Sequence, residues 1–390
     1  MELQTSASIE GANLRKSFVR RHATKLVASA VFTCLVVYTV HKGGLKLVPD
    51  IDDFAHVRWW AVGAYLVPLS VMAWFRSVRW RFLLRSIAEV PPRKLFAISC
   101  VGFAAILLLP FRLGEFVRPY MVRTPPRLRA GLSTRPITLT AATSSIVAER
   151  VIDGLYLSIV LALALFFVPT IDPLPDRVVG LPITVAHVRM SGYGMLGLFT
   201  VALATICVFY FARGWAHRTT LAVFGRVSMK LATRLASIAE HFADGLHVLG
   251  RSSDAAGFLF ETTLYWLANA LGMWLLAWGS GVVHADGSGP TLGEAFAMMG
   301  LLGAAVFVPA PPGLLGVFQF GVYAGMTMFY PTHVVTTAGA AYAFLLYATQ
   351  FVFTVVTGAL GLVAELAQLE LLAGEDNVGG ATAGSEMTAE

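Results

Sequence analysis

Long apolar runs alternate with short charged segments along this chain, and the runs come in two kinds. A helix needs about 20 apolar residues to cross the hydrocarbon core of a bilayer. Six segments qualify, at roughly 25–41, 57–75, 136–168, 192–212, 257–283 and 334–368. Two further apolar stretches, 95–110 and 294–330, are too short or too broken by proline and glycine to cross alone. The pattern predicts an all-α polytopic membrane protein with about six transmembrane helices. The two broken stretches are predicted to be re-entrant hairpins.

The charges between the runs set the expected orientation, because Lys and Arg concentrate on the cytoplasmic side. Arg15, Lys16, Arg20, Arg21 and Lys25 place the N-terminal tail, 1–24, inside. The first apolar run has no small-residue cleavage site after it and reads as an anchor. The loop at 42–56, with Asp50, Asp52 and Asp53, is expected outside. Basic segments then flank 95–110 on both sides, from Arg76 to Lys94 and from Arg112 to Arg135, so a cytoplasmic hairpin is expected at 95–120. The loop 169–190, with Asp172 and Asp176, is expected outside. The basic segment 213–251 returns inside and reads as an amphipathic surface helix. The stretch at 294–330 becomes a periplasmic hairpin, and the acidic, Gly-rich tail 371–390 is expected to be disordered. Two membrane repeats result, 25–170 and 190–370, the second an inverted copy of the first. Pro312 and Gly316 follow Pro110 and Gly114 at one and the same interval. Inverted repeats with broken helices meeting near the midplane are a common build of secondary transporters. The expected location is a cell membrane of the bacterial inner-membrane type, with both termini cytoplasmic.

Composition agrees with this reading. Of 390 residues, 56% are hydrophobic and 13% charged, where soluble domains carry about a quarter charged residues. The net charge of +6 belongs to the loop clusters and not to a nucleic-acid face. Cys34, Cys100 and Cys207 lie in apolar runs and read as buried, inert thiols. His241 and His247 are off one helical face, so no metal site or cofactor is expected. There is no Walker A, Gly-x-Ser-x-Gly or dinucleotide fingerprint, and hence no candidate catalytic residue of those kinds. Trp59, Trp60, Trp74, Trp80 and Tyr330 fall at span ends, where an aromatic interface belt accounts for all five.

Three polar constellations remain. In the first hairpin, LLLPFRLGEFVRPY (107–120) packs Pro110, Arg112, Gly114, Glu115, Arg118 and Pro119 together, and the backbone at 110–114 cannot all be α-helical. Arginine forks suit phosphate and keep their charge in a poor dielectric, although bases here could equally be interfacial anchors. The third span carries Glu149, Arg150 and Asp153, with Glu149 and Asp153 on one face and Arg150 three residues before Asp153. Each costs about 2.5–3.5 kcal/mol inside a membrane, so they are either a structural ion pair or part of a site. Two acids against one base would leave one acid free for a substrate, an arginine or a proton. In the second hairpin, VPAPPGLLGVFQ (308–319) contains Pro311, Pro312, Gly313 and Gly316 and ends in Gln319. Such open backbone is tolerated only when buried in protein or lining a cavity. Glu261 and Asn269 share a face of the fifth span and are weaker candidates.

RSVRWRFLL (76–84), LLPFRLGEFVRPYMV (108–122), VAERVIDGLYL (147–157) and VPAPPGLLGVFQ (308–319) resemble the membrane region of lysylphosphatidylglycerol synthase, over roughly residues 20–370. The resemblance implies a flippase-like protein. In two-part synthases this region moves aminoacylated phospholipid across the membrane while a separate cytosolic domain makes it. It implies a lipid head-group site at Arg112, Glu115, Arg118, Glu149, Arg150 and Asp153, with the Pro312–Gly316 turn beside it; Gln319, which can donate and accept without charge, joins these candidates from its own place in the second hairpin. One departure is evident: the family's Pro-Gly-Gly-x-Gly followed by an acid is here Pro312, Gly313 and Leu314, with Gln319 beyond. The lost charge argues against a cationic head group, and without the synthase domain the chain is not expected to make such a lipid. The expected function is to bind an anionic phospholipid or polyprenyl-phosphate-linked lipid and move it between leaflets. The expected partners are membrane lipids and a glycosyltransferase or aminoacyl-lipid synthase. Two other readings stay open: a membrane-embedded transferase acting on a lipid carrier, and a non-transporting partner of a glycosyl or aminoacyl transferase.

Overall fold

The computed structural model describes residues 44–85, 88–123, 136–178, 184–226, 228–230, 252–307 and 312–386, with isolated residues between 31 and 42 and between 232 and 240. The anchor read at 25–41, the second half of the basic loop 112–135, Pro311, and His241 and His247 lie largely or wholly outside them. Among the described residues there is no β-strand, and the chain is an all-α polytopic membrane protein.

The helices, in order, are α1 (Trp59–Val78), α2 (Trp80–Leu84), α3 (Pro92–Leu108), α4 (Val117–Val122), α5 (Leu139–Phe167) and α6 (Val185–Phe211). They continue with α7 (Arg213–Phe224), α8 (Ser252–Gly279), α9 (Leu292–Phe307), α10 (Val317–Met326), α11 (Thr332–Thr336) and α12 (Ala338–Glu386). Four stretches are long and apolar enough to span a membrane: Trp59–Leu84, Leu139–Phe167, Ala186–Phe209 and Ala338–Ala367. Helix α8, 28 residues long, has the length as well but carries Asp254 and Glu261. Helix α12 runs on to Glu386, over the segment the sequence reads as a disordered tail. Its Ala, Leu and Glu content from 364 to 375 favours continued helix.

Both broken stretches fold as helical hairpins. After α3 the chain is extended at Leu109, then tightens into a 3-10 helix, Pro110–Phe116, which lies back on α3. The backbone that could not be α-helical is therefore a tighter helix and not an open loop. The reversal depends on Gly114, where a methyl group would sit 2.1 Å from the carbonyl carbon of Ala105. In the second hairpin α10 returns along α9, with Gly321 against Leu302 and Gly325 against Met298. Around these hairpins, α1 packs along α8, α3 along α12, and α5 against α6 and α9.

The core is apolar with two exceptions to the belt reading. Trp59, Trp60 and Trp74 are exposed at the rim, but Trp80 and Tyr330 are buried. The Trp80 indole N–H donates to Ser145 Oγ at 3.0 Å, and the Tyr330 hydroxyl to Glu294 Oε2 at 2.5 Å. Each finds inside the protein the polar partner that an interfacial residue finds in water. Of the thiols, Cys100 is buried and Cys207 half-buried, whereas Cys34 is exposed on the outside of the bundle.

Candidate functional site

Arg79 occupies the joint between α1 and α2, with helical dihedrals that let the two run on as one span. It is wholly buried and faces α5 and α8. Its Nη1 donates to Asp153 Oδ1 and its Nη2 to Asp153 Oδ2, both at 2.6 Å, a bidentate fork. Nη1 also donates to Thr262 Oγ1 at 2.8 Å, and Nη2 to Glu149 Oε1 at 3.2 Å. The rings of Phe258 and Tyr265 flank the guanidinium at 5.1 and 4.9 Å. Three spans are thus joined through one cation.

Arg118, on α4, is equally buried and reaches the other side of Glu149, at 3.3 and 3.2 Å from its two oxygens. Its guanidinium lies over the Trp80 ring at 4.4 Å and near Phe103 at 5.1 Å. The side chain fits because residue 102 is glycine: a methyl group there would meet Arg118 Cγ at 2.3 Å. Pro119 beside it is buried too. Glu149 therefore sits between Arg79 and Arg118, and Asp153 is held by Arg79. This corrects the charge count made on α5 alone: neither acid is left without a base.

Arg150 points the other way from the same helix. It has Glu115, Glu149 and Asp153 at 3.9, 4.0 and 3.9 Å, and no hydrogen bond to any of them. The expected i, i+3 pair with Asp153 is the weaker of the two that Asp153 makes. Arg76, one turn before Arg79, has no carboxylate in ion-pair range among the described residues and rests on the Phe103 ring at 4.0 Å. Arg76, Arg150 and Asp153 line one side of a partly open 240 Å³ cavity among α1, α3, α5, α8, α9 and α12. Its remaining wall is mostly aliphatic and aromatic, and Leu314 and Phe318 of the second hairpin close it.

The residues singled out in the sequence fall into three groups. Glu149, Arg150, Asp153, Arg118 and Glu115 come together. The Arg112 side chain is outside the described structure, with its backbone in the 3-10 turn begun by Pro110. Gln319 is buried away from the cavity, its Oε1 accepting from the Gly316 N–H at 2.8 Å at the start of α10. Pro312 opens a single 3-10 turn, and Gly313 and Gly316 hold positive φ of 75° and 81°. Glu261 pairs with Arg81, and Asp254 with Arg85 at 2.7 Å, both in the N-terminal half of α8. Among the described residues no three His, Cys, Asp or Glu side chains form a metal-ligating group.

Arg76 and Arg79 are what a reading of the sequence misses, since arginines after a span read as interfacial anchors. Their spacing held the signal: Arg76 and Arg79 are three apart and share one face, while Arg81 and Arg85 are four apart and share another. On the first face Arg79 meets the α5 acids, and on the second both arginines meet the α8 acids.

No curated protein and no solved structure matches the chain. The family described as lysylphosphatidylglycerol synthase TM region matches residues 25–358, which include every element of the buried charge cluster and both hairpins. The chain therefore belongs to the lysylphosphatidylglycerol synthase transmembrane-region family of membrane proteins.

Proposed function

We propose that this protein binds the phosphate of an anionic lipid in the cavity between its two hairpins and carries it between the leaflets. The observation that carries the reading is Arg76, a guanidinium with no carboxylate in ion-pair range among the described residues, on the wall of a largely apolar cavity. A half-buried cation among apolar side chains is expensive without a counter-ion, and a ligand anion is the group that completes it. Arg150, with three carboxylates near and none hydrogen-bonded, is the second phosphate ligand. Arg118 and Arg79 act behind them, fixing Glu149 and Asp153 and so the orientation of α5. A two-hairpin build with a site between the hairpins fits alternating access by rocking of one half against the other. Transferase chemistry with Asp153 as base draws no support, because both its oxygens accept from Arg79.

The test is leaflet translocation of fluorescent phosphatidylglycerol in proteoliposomes. Arg76→Gln and Arg150→Gln are each expected to slow it by about tenfold or more, the cost of one lost charge-assisted contact. Their thermal unfolding should stay close to that of the wild type. Wild-type protein that moves no anionic lipid, or an Arg76→Gln protein that moves it as fast, would remove the proposal.

A further inference from the structure

Resting on that reading, we infer that the head group is a phosphodiester whose distal part is neutral and rich in hydroxyls, and not one that ends in an ammonium. Three observations on the cavity wall lead to it.

The first is the charge balance. Among the described side chains, the cluster holds four arginines, Arg76, Arg79, Arg118 and Arg150, against three carboxylates, Glu115, Glu149 and Asp153. The surplus is one positive charge, which a phosphodiester monoanion cancels. A zwitterionic head group brings its own cation and leaves the surplus standing.

The second is the set of unmet donors. The guanidinium groups of Arg76 and Arg150 make no hydrogen bond to any described residue, and both residues line the cavity. A guanidinium only donates. Polar groups away from water are normally paired, so two unmet guanidinium groups specify a ligand with acceptor oxygens.

The third is what would receive the distal end. Asp153 is the only acid on the wall among the described residues, and its oxygens are taken by Arg79, with Arg150 close by. An ammonium seeking Asp153 would stand beside guanidinium groups, and such like-charge contact costs several kcal/mol. Asn269 and Thr354 also line the cavity, and neither side chain has a hydrogen-bond partner among the described residues. An amide and a hydroxyl both donate and accept, as a glycerol or sugar hydroxyl requires. At 240 Å³ the cavity is smaller than the roughly 300–1,000 Å³ of drug-sized sites, so it admits a head group while the acyl chains stay outside.

The experiment compares acyl-labelled phosphatidylglycerol, phosphatidylinositol and phosphatidylethanolamine in proteoliposomes of the full chain. The two polyol lipids should move at least about tenfold faster than phosphatidylethanolamine, given the like-charge cost. Asn269→Asp, which sets a free acid on the wall, should narrow the gap by slowing phosphatidylglycerol and speeding phosphatidylethanolamine. Thr354→Val should slow the polyol lipids only. Phosphatidylethanolamine moving as fast as phosphatidylglycerol in the wild type would overturn this inference and leave the phosphate site standing. No lipid moving would overturn both. Soluble glycerophosphoglycerol raising the melting temperature while no lipid moves would show a site for free phosphodiester chemistry, and would overturn the lipid assignment. The wild-type comparison decides the matter even if a variant fails to fold.

Discussion

The first hairpin, 92–122, and the second, 292–326, both turn back against their own first helix, but they keep their reversals by different means. The first uses proximity and charge. Its turn contains no residue of positive φ, Gly114 is there to let the backbone touch α3, and Arg118 ties the return helix to α5 through Glu149. The second uses backbone conformation and no charge. Gly313, Leu314 and Gly316 all lie at positive φ, and a neutral amide, Gln319, caps the return helix. Leu314, at φ 57°, is a non-glycine in the left-handed region, and it lines the cavity. The charged hairpin thus belongs to the rigid side of the site. The neutral one brings its strained residue to the cavity wall, where strain is commonly held for function.

The sharpest way to break this contrast is to remove the cation that organises the charged side. Arg79→Met leaves Asp153 and Glu149 buried with fewer bases, and losing one partner of a buried ion pair costs about 3–5 kcal/mol. The detergent-solubilised variant should unfold at a markedly lower temperature than the wild type. Adding Asp153→Leu should recover part of the loss, because removing both partners costs less than removing one. An Arg79→Met protein with wild-type melting would mean that the cluster does not hold α1, α5 and α8 together.

How much of this could be read from the chain differs between the two hairpins in the same way. Pro110, Gly114, Pro312 and Gly316 mark both reversals in the sequence, because proline and glycine announce broken helices anywhere. Glu149, Asp153 and Arg118 stand out as charges in apolar surroundings. Arg79 does not stand out, since its place after a span is also where anchors belong. Trp80 is hidden for the same reason, as an aromatic at a span end. That no described carboxylate reaches Arg76 is a fact of three dimensions, as is the difference between a glycine needed for closeness and one needed for φ.

That last difference can be tested by adding a methyl group to each hairpin. Gly114→Ala forces Cβ to 2.1 Å from backbone atoms of Ala105 and Ile106, which have nowhere to go. Overpacking of this kind costs about 1–3 kcal/mol, and the upper end is expected. Gly321→Ala, which meets Leu302 Cα at 2.9 Å and Ala305 Cβ at 3.0 Å, should cost less. Gly316→Ala pays for its φ of 81° with about 1–2 kcal/mol. Melting temperatures should rank Gly114→Ala lowest. If Gly321→Ala were the more harmful, the first hairpin would not be the tightly apposed one.

The smallest effect separates a structural from a ligand-binding role at Gln319. Its Oε1 accepts from the Gly316 N–H, one of the amides at the start of α10 that the helix itself cannot satisfy. Gln319→Leu removes that acceptor and keeps an apolar side chain of similar reach. The loss should be about 1 kcal/mol, as for a helix cap. Lipid transport by the folded protein should then keep the same ratio between phosphatidylglycerol and phosphatidylethanolamine, since Gln319 does not line the cavity. A changed ratio at unchanged melting temperature would put Gln319 in contact with the head group. The second hairpin would then read the ligand with its own polar group, and the division between a charged, organising half and a neutral, shape-giving half would fail at that residue.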